Sequence, residues 1–183
     1  MKILFTLSII YLSLVNNVWG QLYSTQNGET SFFSETPVES ISANNKTVGA
    51  FINTSTKEIA ISMKMSAFDF PNKLMQEHFN ENYMESAKFP VSTFTGKILE
   101  AIDFTKNGTY EVTAQGQLTV HGVAQPRDLK GKLIIDNQKI YLTSNFEVKL
   151  VNHKIDVPKL VFVKIAEIIS VKSKYTFTPY VKK

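Results

Sequence analysis

Period-two alternation of apolar and polar residues organises most of this chain. In "KEIAISMKMSAF" the residues Ile59, Ile61, Met63 and Met65 fall on one face and Ala60, Ser62 and Lys64 on the other, the pattern of a half-buried strand. The stretch "STFTGKI" separates Phe94 and Gly96 from Thr93, Thr95 and Lys97. "TYEVTAQGQLTVHGV" alternates far enough to cross a whole sheet, and its internal Gly116 marks a bend or bulge. Turn signals separate these runs. Asn107-Gly108 has the composition of a type I′ hairpin, whose central residues both take positive φ. "DNQK", from Asp136 to Lys139, joins "KGKLII" to "IYLTSNFEVKLV" in the same manner. Short strands at regular spacing, with hairpins between them, predict an all-β fold: an antiparallel barrel or sandwich.

Two segments depart from this rhythm. "PNKLMQEHFNENYMES" places Met75, Phe79 and Tyr83 at i, i+4 and i+8, with Leu74 and His78 beside them and Glu77, Glu81 and Glu85 on the outer side. This predicts a short amphipathic helix from Pro71 to Ser86, packed against or capping the strands, and Pro90 stops it after Phe89. In "DVPKLVFVKIAEIISVK", Pro158 is expected to open one helical turn before a final strand.

If the strands close into a barrel, the inward set is Phe51, Ile59, Ile61, Met63, Met65, Phe94, Leu118, Val120, Leu133, Ile135, Leu142, Phe146 and Val148. At about eight strands, such residues either fill the interior or line a cavity. Thirteen phenylalanines against a single tryptophan supply much of that apolar surface.

The amino terminus bears on compartment. Lys2 precedes the apolar run "ILFTLSIIYLSLV", and small or apolar residues follow at Val18 and Gly20. Residues 1–20 read as a cleaved secretory signal, leaving one domain over residues 21–183 and a periplasmic or secreted product. No cysteine is present, so neither disulfides nor a lipidated cysteine enter the picture. The composition reads as bacterial, and the N-x-S/T triplets at Asn45, Asn53 and Asn107 are therefore expected to be chance matches.

A formal charge of +4 comes almost wholly from lysine, Arg127 being the sole arginine. Scattered lysines among acids describe a solvated surface and argue against nucleic-acid binding. Catalytic patterns are absent: there is no G-x-S-x-G elbow, H-E-x-x-H pair, phosphate loop or dinucleotide fingerprint. The three histidines, His78, His121 and His153, have no metal-ligand spacing. Asp103, Asp128 and Asp136 sit beside turn signals and read as turn formers. The expectation is a non-enzyme that needs no cofactor.

Two stretches carry a family resemblance. Phe68 to Ile98, "FDFPNKLMQEHFNENYMESAKFPVSTFTGKI", with its M-x-x-H-F, its tyrosine-to-Phe-Pro passage and its T-F-x-G strand, resembles the signature region of the YceI-like lipid/polyisoprenoid-binding family. Gly116 to Pro126, "GQLTVHGVAQP", resembles that family's second hallmark. The resemblance implies an extended, lipocalin-like antiparallel barrel whose apolar tunnel holds a polyisoprenoid, such as an isoprenoid quinone, or a similar amphiphile, for transport or storage. Transient membrane contact is compatible with such a carrier. The implied ligand-binding residues are Phe51, Ile61, Met63, Met65, Met75, His78, Phe79, Tyr83, Phe94, Leu118, Val120, His121 and Phe146, with His78, Asn80, Tyr83 and His121 near the mouth. The alternatives are a small exported metal- or haem-binding protein or enzyme using His78 and His121, and a structural envelope module with a filled barrel.

Overall fold

The alternating segments form eight antiparallel strands, each paired with the next, and the last closes on the first. The computed structural model describes residues 22–36, 40–156 and 165–181; the expected signal peptide and the turn at Pro158 lie outside them. The strands are β1 (Leu22–Glu35), β2 (Ser40–Asn53), β3 (Glu58–Lys64), β4 (Val91–Ile98), β5 (Gly108–Val120), β6 (Val123–Asp136), β7 (Lys139–Lys149) and β8 (Ile168–Pro179). In such a meander the β1–β2, β3–β4, β5–β6 and β7–β8 connections fall at one end, here called the upper end.

The insertion between β3 and β4 sits at that end. A 3-10 turn at Met65–Ala67 leads into α1 (Lys73–His78) and a π-helical turn at Phe79–Tyr83. The predicted helix is therefore shorter than its sequence pattern. Asn72, rather than Pro71, begins it by accepting from the backbone N–H groups of Leu74 and Met75, the usual work of an N-cap carboxamide. The π turn inserts one extra residue, so Tyr83 and Met84 are both buried while Leu74 is 56% exposed.

The hairpin expected within Asp136–Lys139 forms, with Asn137-Gln138 in type I′ geometry (φ 46° and 60°). The one expected at Asn107-Gly108 does not, and that geometry is found instead at His121-Gly122 (φ 51° and 70°). "TYEVTAQGQLTVHGV" is consequently cut at His121, separating β5 from β6. Asn107 instead ends a longer loop turned by Asp103, which accepts from the Thr105 backbone N–H at 3.0 Å. Hydrogen bonds from Thr105 and Lys106 hold the Asp103 carboxyl at about 2. Asp128 lies within β6 rather than at a turn.

Inward residues fall into two abutting clusters. The lower contains Ile52, Ile59, Phe94, Ile98, Val112, Leu133, Ile140 and Phe177, among others. The upper joins Phe32, Ile41, Met65 and Leu150 to Phe68, Phe70, Phe79, Tyr83 and Met84 of the insertion. The wall is not laddered throughout: β6 pairs with β7 only over Gly131–Asp136. Beyond that stretch, side chains span the seam, with Arg127 Nη2 donating to the Glu147 carbonyl at 2.6 Å and Gln125 Nε2 to that of Asn152 at 2.9 Å. The sole arginine thus braces the barrel wall.

Candidate functional site in the barrel lumen

Along the barrel axis the apolar side chains leave two cavities. The upper one, about 90 Å³, lies between the insertion and the strands and is lined by Thr30, Phe32, Met63, Met65, Phe68, Phe79, Tyr83, Met84, Ser92, Leu118, Val120, Phe146 and residues of β7, β8 and their connection. The lower one, about 40 Å³, is lined by Ile59, Ile61, Met63, Phe94, Leu118, Leu142, Phe146, Ser173 and Tyr175, among others. Met63, Leu118 and Phe146 belong to both linings and form the partition between them.

Of the residues expected to meet a ligand, Ile61, Met63, Met65, Phe79, Tyr83, Phe94, Leu118, Val120 and Phe146 do face this lumen. Phe51 does not. It lies on the outer face, its ring 6.1 Å from that of Tyr180, while Ala50 and Ile52 point inward at 0% exposure. The cause is a β-bulge: between the pairs Gly28↔Val48 and Thr30↔Asn45, β2 spends one more residue than β1. Lys46 and Thr47 are both exposed, and the inward face passes from odd to even positions. Asn45 seals the bulge with its buried carboxamide, which donates to the Lys64 carbonyl at 2.9 Å and accepts from Thr47 N and Oγ1. At 0% exposure it is closed to glycan attachment.

Met75 is half-buried and packs on the upper cluster, but neither it nor His78 lines either of these two cavities. Asn80 is engaged within the insertion, donating to the Gln76 carbonyl at 2.8 Å and accepting from Ser86 Oγ at 2.7 Å. His121 lies at the upper rim. Its Nδ1 donates to the His153 carbonyl at 3.2 Å, and its Nε2 stands 2.8 Å from Glu85 Oε2. Phe89 covers the imidazole edge-on, with ring centroids 4.4 Å apart, and a Cβ at Gly122 would come within 2.6 Å of the Phe89 ring. The two distinctive sequence stretches therefore meet here: the "VHG" hairpin clasps the end of the insertion. Among the described residues no group of three or more His, Asp or Glu side chains converges as a metal site, and both ring nitrogens of His121 already have partners.

His153 is 1% exposed and donates from Nδ1 to the Val123 carbonyl at 3.0 Å. Burial holds its imidazole below the usual 6.5; nearby Arg127 and His121 act in the same direction, and the carbonyls of Val123 and Val120 partly oppose them. The unfolded chain then takes up this proton first as pH falls. The contribution is fully present above about pH 6.5 and is lost as pH drops toward the folded value. Urea midpoints should accordingly fall between about pH 7.5 and pH 5, with a shallower decline in His153→Gln; an unchanged slope would contradict the assignment.

The lining residues that sequence reasoning missed include Thr30, Phe32, Ser92, Ser173 and Tyr175. The β8 face was open to reading, since Ile169, Val171, Ser173, Tyr175 and Phe177 alternate. The β1 face was not. Thr30 Oγ1 lies 2.7 Å from Tyr175 Oη and 3.3 Å from Ser173 Oγ, a buried hydroxyl cluster that only strand closure assembles. Burial raises the Tyr175 phenol above 10.0, while hydrogen bonds from Ser173 and Thr30 partly offset this.

A family model of the YceI-like domain matches residues 13–177. The chain belongs to the YceI-like family. Solved structures with the YceI-like barrel include a polyisoprenoid binding domain from Saccharophagus degradans implicated in plant cell wall breakdown, with 12% identity, a TM-score of 0.67, and 88% of this chain and 99% of that one covered. BcnA of Burkholderia cenocepacia has 14% identity and a TM-score of 0.66 over 82% of this chain and 96% of its own. The Campylobacter jejuni YCEI protein has 16% identity and a TM-score of 0.56 over 100% and 94%. Comparison with curated proteins gives no match.

Proposed function

We propose that this YceI-like protein is an exported, non-enzymatic carrier that holds a polyisoprenoid or a similar amphiphile in its barrel lumen for transport or storage. The observation that carries this reading is the largely apolar lumen, whose two cavities share Met63, Leu118 and Phe146 in their linings. The family membership and the polyisoprenoid binding domain among its structural neighbours support it. The apolar leader at residues 1–20 supports export to the periplasm or beyond.

The cavities set a condition on binding. At about 90 and 40 Å³, each is smaller than the roughly 150 Å³ apolar cavity that admits one benzene. A long chain must therefore displace the partition. Met63 and Phe146 are only partly buried, and methionine's unbranched side chain rearranges readily. Each methylene-sized group taken from water contributes about 0.8 kcal/mol, or about 4 kcal/mol per five-carbon unit. Chain ordering and lost translation offset part of that, so affinity should grow with chain length up to the depth of the opened lumen.

The test is native mass spectrometry of residues 21–183, exported in a bacterial host, purified without detergent and followed by organic extraction. A discrete added mass that extracts as an isoprenoid lipid is expected; a bare polypeptide mass that persists after incubation with isoprenoids rejects the carrier. The small cavities favour a second reading, a filled structural barrel. Met63→Trp separates the two. A carrier should lose its lipid with less than about 1 kcal/mol of destabilisation, whereas a filled core should lose about 1–3 kcal/mol.

A further inference from the structure

Ser92 is the anomaly of the upper cavity. It is 2% exposed, faces inward opposite Met63 in the β3–β4 register, and its Oγ has no hydrogen-bond partner. The hydroxyls of Thr30, Ser173 and Tyr175 do not share this condition, because they satisfy one another. A buried hydroxyl without a partner is a standing cost that an incoming oxygen or hydroxyl would remove. The surroundings restrict what can come. Among the described residues, the lining of this cavity includes no Asp, Glu, Lys, Arg or His, so a phosphate or carboxylate drawn to Ser92 would be desolvated with no counter-charge.

We propose that Ser92 Oγ is the hydrogen-bonding anchor for a neutral oxygen of the bound lipid, a carbonyl or hydroxyl carried inside the lumen rather than left at its rim. This rests on the lumen being the lipid site and adds the ligand's chemical class: a neutral oxygenated lipid is selected over a plain hydrocarbon and over an ionised head group. The preference is built on β4, in register with Met63 of the partition, so the polar end lies beside the point where the two cavities adjoin.

Three probes of equal carbon skeleton test this: geranylgeraniol, its parent hydrocarbon and geranylgeranyl phosphate, each titrated into wild type and Ser92→Ala and read by native mass spectrometry. Wild type should favour the alcohol about tenfold over the hydrocarbon, and more strongly over the phosphate. In Ser92→Ala the alcohol-to-hydrocarbon ratio should fall toward one, with an unchanged or higher melting temperature because an unsatisfied group has been removed. An unchanged ratio in the variant, or phosphate binding equal to that of the alcohol in wild type, would overturn the anchor while leaving the lumen as the site. Wild-type comparison alone decides the head-group preference should the variant not fold. Failure of all three probes to bind would reject the lumen itself, and the anchor with it.

Discussion

Gly116→Ala should destabilise the barrel by about 3 kcal/mol, a large effect for a single added methyl group. Gly116 on β5 is in register with Gly96 on β4, and the strands approach so closely that a Cβ at Gly116 would overlap the Thr95 carbonyl oxygen and stand 2.5 Å from Gly96 Cα. A Cβ at Gly96 would come within 2.6 Å of the Gln115 carbonyl oxygen. Each glycine is thus required by the backbone of the other strand, and no side-chain rotation relieves the clash. The strands must separate locally, with loss of ladder hydrogen bonds beside Phe94 and Leu118. For a chain of this length the melting temperature should fall by about 6–12 °C. Gly49→Ala provides the control, because its Cβ would meet only the Gln26 side chain at 3.4 Å, and it should be neutral or slightly stabilising. Equal melting temperatures for the two variants would refute the close-approach explanation.

The same glycine shows what the sequence could convey. A glycine inside a strand pattern signals a bend or a close approach without saying which, and only the paired Gly96 decides. Elsewhere alternation was sufficient: β3 and β4 present the predicted faces because Ile59, Ile61 and Met63 on one and Phe94 and Ile98 on the other are large enough to fix their own register. It failed where a backbone irregularity reversed the face. The β2 bulge moved Phe51 outward, and nothing in "SANNKTVGAFIN" announces it except Asn45, whose closing hydrogen bonds are made in the folded chain alone.

Ser92 was overlooked for a different reason. Hydropathy alone would place Val91 inward and Ser92 outward, yet Val91 is 41% exposed and Ser92 2%. The strand's face is set by Phe94 and Ile98, and Ser92 follows them into the lumen despite its hydroxyl. Candidate-site prediction from apolar residues therefore recovered nine of the residues that line the lumen and missed Ser92, whose buried hydroxyl has no partner. The resemblance motifs had the converse character. They marked Glu85, Phe89, His121 and Gly122, which clasp the insertion to the barrel rim, and so conveyed how the lumen is closed more than what occupies it.

That closure turns on Phe79, and Phe79→Ala is expected to cost about 3–5 kcal/mol. Its ring sits among Phe32, Phe68 and Phe70, with centroid distances of 5.5, 5.7 and 5.0 Å, and it is 7% exposed. Phe32 belongs to β1 whereas Phe68, Phe70 and Phe79 belong to the insertion; Phe32 also meets Phe68 and Phe70 directly, at 5.4 and 5.7 Å, so Phe79 completes a four-ring cluster that ties the cap to the wall. Its backbone carbonyl also accepts from Met84 N at 2.8 Å, closing the π turn. Truncation would enlarge the upper cavity and remove the aromatic contacts together, while the lower cluster retains all its partners. The loss should therefore be uneven: hydrogen exchange should accelerate across residues 65–90 far more than in the lower halves of β5 and β6. Leu74→Ala, at a position 56% exposed on α1, should change neither stability nor exchange by more than about 0.5 kcal/mol. Under the carrier reading, the loosened cap should also release bound lipid faster. Uniform destabilisation with no selective exchange in the insertion would mean that the aromatic cluster is part of one global core and does not act as the closure of the lumen.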